Sequence, residues 1–191
     1  MQDLIEKTLR DAAAVNEGLV AQSEKIAEIA QALVDVYRAG GSLYLMGNGG
    51  SAADCQHMAG ELVSRFLMER EPLHCLALTT DTSIMTAIGN DYTFADVFVK
   101  QVKAFVREGD AVLGISTSGT AANVNAGLDE ARKRGALTIG LTGRDGGPMA
   151  GKCDLVLIVD SQETPRIQEG HATVIHILCD LIERALFGAG E

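Results

Sequence analysis

The chain has 191 residues, enough for one domain with a sizeable core, and its 47% hydrophobic and 22% charged content is ordinary for a globular protein. A net charge of −10 argues against nucleic acid as a main partner, since phosphate backbones demand Lys and Arg, but it permits a small phosphate held by backbone N–H groups. The acidic start (Asp3, Glu6) is not a secretory signal, no apolar run approaches a membrane span of roughly 20 residues, and Cys55, Cys75, Cys153 and Cys179 show no C-x-x-C spacing; together these predict a cytoplasmic protein with reduced core thiols and no membrane partner.

In chain order, residues 3–20 set Ile5, Leu9, Ala12, Val15 and Leu19 at the steps of an amphipathic helix. Ser23 is expected to cap a second helix with Ile26, Ile29, Ala30, Leu33, Val34 and Tyr37 on one face, ended by Gly40-Gly41. A helical hairpin over residues 1–40 is extra to a minimal α/β unit. Its apolar stripe needs a cover, and a partner subunit is one candidate. Residues 43–46 read as a buried strand and Gly47-Asn48-Gly49-Gly50-Ser51 as a turn, with Ser51 expected to cap a helix running to about Phe66.

The spacing then predicts a strand over 75–78, a helix from about 83 to Ile88 broken by Gly89-Asn90-Asp91-Tyr92, and a helix over 94–106. A strand over 111–115 leads into Ser116-Thr117-Ser118-Gly119-Thr120 and a helix over 121–134. Strands over 137–141 and 155–159 flank a glycine-rich turn, and a closing helix over 166–187 leaves 188–191 as a frayed tail. Continuous apolar strands alternating with helices imply a five-stranded parallel sheet covered on both faces, an α/β core over 41–187 within one domain. In such sheets ligands sit beyond the carboxyl ends of the strands, near the switch in strand order, so both polar turns belong on one edge.

Strand, glycine turn and helix start make an anion cradle, because glycine admits a ligand to the backbone and the first helical N–H groups lack partners. The 116–120 loop concentrates four hydroxyls where a helix cap needs one, and it carries no Lys or Arg. That favours a phosphomonoester on a sugar over a nucleotide, for which neither phosphate-binding glycine motif is complete. His57 and Glu61, four apart, emerge on one helix face. On the closing helix, His176 sits inside an apolar run over 174–178, so a buried imidazole needing a partner is expected there. Metal site and acid/base pair are both open readings of this set.

The motifs Gly47-Asn48-Gly49-Gly50-Ser51-Ala52-Ala53-Asp54, Gln56-His57, Glu61, Asn90-Asp91, Gly114-Ile115-Ser116-Thr117-Ser118-Gly119, Leu141-Thr142-Gly143, Asp145-Gly146-Gly147, Arg166-Ile167-Gln168-Glu169 and His176 occur in the order, and over nearly the length, of the phosphoheptose isomerases. The chain resembles that family of the sugar-isomerase (SIS) domain superfamily. The resemblance implies a flavodoxin-like SIS fold and conversion of sedoheptulose 7-phosphate to D-glycero-D-manno-heptose 7-phosphate for bacterial heptose glycans. It implies a homotetramer with intersubunit active sites, and one zinc per subunit on His57, Glu61, Gln168 and His176. It also implies substrate contacts at Asn48, Gly49, Gly50, Ser51, Glu61, Asn90, Asp91, Ser116, Thr117, Ser118 and Gln168.

Two positions depart from the family pattern: Ala121 where a serine is common, and Pro165 where some members carry an acid. Moving a carbonyl between adjacent carbons needs a base for the carbon-bound proton and an acid for the hydroxyl proton, roles expected of Glu61 and His176. On one regular helix Gln168 and His176 would stand about 12 Å apart along the axis and about 80° apart around it. Either Gln168 lies in a loosened first turn or the ligands come from different chains. The rival readings are a non-enzymatic phosphosugar-binding regulator on the same fold, of the replication-initiator-associated type, which lacks the carboxylate matching Glu61, and an isomerase of another sugar phosphate.

Overall fold

The computed structural model describes residues 1–188; positions 189–191 of the expected tail lie outside the described residues. Helices α1 (Gln2–Leu19) and α2 (Ser23–Arg38) form the leading hairpin, joined by a 3₁₀ turn over Val20–Gln22. Strand β1 (Leu43–Gly47) and helix α3 (Gly50–Val63) follow, then β2 (Cys75–Ala77), α4 (Thr82–Asp91), a 3₁₀ turn (Phe94–Asp96) and α5 (Val97–Phe105). The chain continues through β3 (Ala111–Ser116), α6 (Ala122–Lys133), β4 (Leu137–Gly143), a 3₁₀ turn (Gly147–Gly151), β5 (Leu155–Val159) and α7 (Thr164–Phe187). Gly188 closes α7, its N–H donating to the Arg184 carbonyl at 2.9 Å.

The five strands are all parallel in the order β2-β1-β3-β4-β5. Alternating side chains feed two cores. Leu43 and Leu45 join Ile29, Leu33, Leu62, Val174 and Leu178 on the face covered by α2, α3 and α7. Tyr44 and Met46 join Phe98, Val102, Val124 and Leu128 on the face covered by α5 and α6. The strand order reverses between β1 and β3, which pair from Leu43↔Ala111 to Gly47↔Ile115, so the two polar turns leave adjacent strand ends side by side.

Several local expectations are corrected. Ser23 and Ser51 lie inside their helices and cap nothing: the N-cap positions are Gln22 and Gly49. Gly49 adopts φ +56°, a conformation costly for any residue with a Cβ. Gly89, Asn90 and Asp91 continue α4 instead of breaking it. His176, expected to be buried, is exposed in the isolated chain, and the fully buried histidine of the closing helix is His171. On an α-helix a run of five spans more than one face, so residues 176 and 177 turn outward although 174, 175 and 178 turn in.

All four cysteines are free; three are buried, and burial pushes the thiols of Cys153 and Cys179 up to about 12, leaving no reactive thiolate there. No described helix is long and apolar enough to cross a membrane.

His171 Nε2 donates to the Thr142 carbonyl at 3.0 Å and its Nδ1 has no partner, so the ring is held neutral; burial pulls its pKa down to about 4. A depressed base gives stability that is complete above the unfolded value of 6.5 and drains away as the pH falls toward about 4, because the unfolded chain then binds the extra proton. Urea unfolding at pH 8 and pH 5 is expected to show a loss of about 2 kcal/mol from this group, absent in a His171→Gln variant.

Candidate active site

The glycine turn is shaped by contacts that exclude side chains. A Cβ on Gly47 would fall 2.6 Å from the Ser51 carbonyl oxygen, and one on Gly50 would collide with the Gln168 side-chain amide. Gln168 thus lies directly over the start of α3. Across the strand-order switch, Gly119 (φ +65°) abuts the backbone of Gly146, which seats the hydroxyl loop on the turn after β4.

Between the two turns is a cavity of about 200 Å³ lined by Asn48, Ser51, Ile115, Ser116, Thr117, Ser118 and Ala121. Neither helix that begins there has a side-chain cap: α3 starts from Gly49 and α6 from Ala121. The hydroxyls are therefore not spent on capping, and the helix-start N–H groups are left for an anion. Ser118 and Thr120 share a hydroxyl–hydroxyl bond of 2.6 Å.

A reciprocal amide pair ties the two sides together. Asn48 Nδ2 donates to Asn123 Oδ1 and Asn123 Nδ2 donates back to Asn48 Oδ1, each at 2.8 Å. Asn125 Nδ2 donates to the Gly119 carbonyl at 2.9 Å and pins the loop from below. Neither Asn123 nor Asn125 was expected from the sequence. A second, wider cleft of about 530 Å³ lies on the other side of the loop, lined by Thr117, Ser118, Thr120, Arg144, Asp145 and Gln162. It brings a cation, Arg144, to a loop that has none of its own; Arg144 has the one positive φ (+60°) among the described non-glycine residues.

The titratable end of the site lies between α3 and α7. His57 Nε2 is 3.1 Å from Glu61 Oε1 and 3.4 Å from His176 Nε2, with the two rings edge to face at 4.9 Å. Phe66 stacks on His176 at 5.8 Å. Both separations are close to the ligand–ligand edge of about 3.3 Å in a tetrahedral site with zinc bonds of about 2.0–2.1 Å. Two imidazole nitrogens and a carboxylate oxygen here share too few protons for all to be satisfied, and such donors suit zinc.

The set is an open chain, not a closed cage. No ion pair joins Glu61 to His176, and no three His, Cys, Asp or Glu side chains among the described residues are grouped to hold a metal. Gln168 does not complete the set by unwinding, because α7 is regular from Thr164 onward; the loosened-turn alternative is ruled out.

Asn48, Ser51, Ser116, Thr117 and Ser118 are thus brought together, with Gly49 and Gly50 forming the turn beneath and Gln168 above it. Asn90 and Asp91 stand apart: they sit exposed at the end of α4, Asn90 Nδ2 donating to Asp91 Oδ1 at 2.8 Å, and they do not line the cavity.

Residues 9–143 match the SIS domain family. The chain is 55% identical over 194 aligned residues to the phosphoheptose isomerase of Trichlorobacter lovleyi, covering 100% of this chain and 99% of that relative. Among solved structures it is similar to the phosphoheptose isomerase from Neisseria gonorrhoeae, with a TM-score of 0.91, 40% identity and coverage of 95% and 98% of the two chains. A phosphoheptose isomerase from Francisella tularensis gives a TM-score of 0.93 at 35% identity, covering 96% and 98%.

Asn48 is half-buried at the cavity wall, so removing Asn123 costs it two hydrogen bonds that water can replace only in part, about 1 kcal/mol. Asn123→Ala is expected to lower the unfolding free energy by that amount and to weaken binding of a phosphate monoester, checked by urea unfolding and by titration calorimetry.

Proposed function

This chain belongs to the SIS domain family and, within it, to the phosphoheptose isomerases, and we propose that it converts sedoheptulose 7-phosphate to D-glycero-D-manno-heptose 7-phosphate at a site shared between subunits of a homotetramer. The observation that carries the reading is the meeting of His57, Glu61 and His176 across α3 and α7, on the helix whose N-terminus borders the hydroxyl-lined cavity.

The cavity takes the phosphate. Backbone N–H groups at the starts of α3 and α6, with the hydroxyls of Ser51, Ser116, Thr117 and Ser118, surround the anion; at Ala121 only the backbone serves. Asn48, Gly49 and Gly50 then border the sugar chain. Glu61 takes the proton from C1 of the ketose and returns it to C2, and His176 moves the hydroxyl proton from O1 to O2, through an enediol. No atom is gained or lost in this exchange.

Zinc is the cofactor of this proposal, held by His57, Glu61 and His176 with Gln168 as the fourth donor, and it supplies polarisation of the two substrate oxygens when bound. Glu61 would thus serve both as a donor to the ion and as the base of the reaction. Because Gln168 and His176 lie two turns apart on one regular helix, a Gln168 donated by a neighbouring subunit is the simpler arrangement. Asn90 and Asp91, exposed and not lining the cavity of their own chain, suit contacts to the substrate of an adjacent subunit.

Exposed Leu4, Ile5 and Leu9 on α1, together with Ile177 and Leu181 beside His176, support the assembly, since so much apolar side chain needs a cover. The free thiols support a reducing, cytoplasmic setting.

Turnover of sedoheptulose 7-phosphate by purified protein, followed with a chelator and then with zinc restored, tests the reading. Zinc-dependent turnover is expected; a folded, zinc-loaded oligomer with none would point to the binding-protein alternative. Glu61→Gln and His176→Ala are each expected to lower kcat by about 10²–10⁴-fold while leaving the assembly intact by gel filtration.

A further inference from the structure

Between α3 and β2 the chain has no regular structure over residues 64–74, and it crosses the surface with Leu67 exposed. Arg70 of this strap and Glu183 of α7 form the most deeply buried ion pair among the described residues, at 1% and 0% side-chain exposure. A buried pair is weak support for stability unless every remaining donor and acceptor is satisfied. Here the carboxylate accepts four hydrogen bonds and each guanidinium nitrogen donates at least one. Glu183 accepts from the N–H groups of Phe66 (3.1 Å), Leu67 (2.7 Å) and Met68 (2.8 Å), and from Arg70 Nε at 3.0 Å. Burial alone would push the Glu183 carboxyl up; the amides and the guanidinium outweigh it and hold the group below its ordinary value.

Arg70 turns its other nitrogens the opposite way. Nη2 donates to the Glu61 carbonyl at 2.9 Å, and Nη1 to the carbonyls of Leu62 (2.7 Å) and Glu71 (3.1 Å). The Glu61 and Leu62 carbonyls belong to the last turn of α3, where a helix leaves its acceptors without partners and where α3 carries no basic residue of its own. Glu183 lies seven residues beyond His176, two turns along the same side of α7. One carboxylate on α7 therefore holds the strap from which Phe66 stacks on His176, and one guanidinium on the strap holds the helix end from which Glu61 emerges.

We propose that Arg70 and Glu183 are positioning residues for the isomerisation, a two-headed clamp that fixes the separation of Glu61 from His176 across the α3–α7 groove. The assignment rests on the proposed roles of Glu61 and His176. Neither clamp residue touches the cavity at 116–121, so the clamp governs the reacting end of the substrate and not the grip on its phosphate.

The test uses the full-length, zinc-loaded oligomer and two variants. The double variant Arg70→Met/Glu183→Leu replaces the pair by apolar side chains of similar size, a change that buried pairs often tolerate without loss of stability. It removes both heads of the clamp. Arg70→Lys keeps the charge but not the fork that reaches Glu183 and the carbonyls of Glu61, Leu62 and Glu71 at once. With sedoheptulose 7-phosphate, each folded variant is expected to lose on the order of 10–100-fold in kcat, with KM and the calorimetric affinity for inorganic phosphate within about twofold of the parent chain.

A folded variant with undiminished kcat overturns the proposal, as does a parallel rise in KM and loss of phosphate affinity, which would mark general loosening. Failure of both variants to fold assigns the pair to stability alone and overturns it too. Full turnover by Glu61→Gln in the same assay would instead reject the underlying roles of the reacting residues, an outcome distinct from any result with the clamp variants.

Discussion

All five strands run in one direction, so every strand-to-helix turn is delivered to a single edge of the sheet. Where the strand order reverses, the turns after β1 and β3 diverge and leave room between them. The remaining features of the site follow from that geometry. Two uncapped helix starts point into one space, and the paired amides of Asn48 and Asn123 bridge it. The anion site is therefore made mostly of backbone and short polar groups, which suits a protein of strongly negative net charge. Its partial positive charge comes from oriented N–H groups, with Arg144 reaching the far side of the loop from the turn after β4.

The reacting groups are built differently. They do not hang on strand ends but on the flanks of two helices, α3 and α7, that share the core on one face of the sheet. Helix flanks slide against one another more readily than paired strands do, and long charged or aromatic side chains must hold their spacing. The strap after α3 supplies that restraint, with Phe66 against His176 and Arg70 against the helix end. One end of the site is thus fixed by the sheet and the other by side chains buried beneath an irregular segment.

The strands were legible because continuous apolar runs between glycine-rich turns have few other uses, and the parallel order followed from the intervening helices. The two polar turns were legible for the same reason: hydroxyls and glycines in excess of what capping needs imply a ligand. Cap assignments failed at Ser23 and Ser51 because a serine next to a helix start need not be the N-cap when a 3₁₀ turn or a left-handed glycine precedes it. His176 was misread as buried because a run of apolar letters carries no information about which side of a helix a polar member faces. Asn123, Arg70 and Glu183 were invisible for another reason. Asn123 meets Asn48 75 positions away and Glu183 meets Arg70 113 positions away, so neither pairing leaves a local pattern.

The reciprocal amide pair has a consequence for the chemical lifetime of the chain. Asn48 is followed by Gly49, the pairing in which a backbone nitrogen most easily attacks the preceding side-chain carboxamide, because no Cβ hinders the approach. In the folded protein both ends of the Asn48 amide are engaged by Asn123, and the group is not free to swing onto the backbone. An unfolded chain has no such restraint. Deamidation there would put a carboxylate opposite the Asn123 oxygen and a negative charge beside a pocket shaped for an anion. The same two hydrogen bonds that join the halves of the site therefore also protect it from ageing.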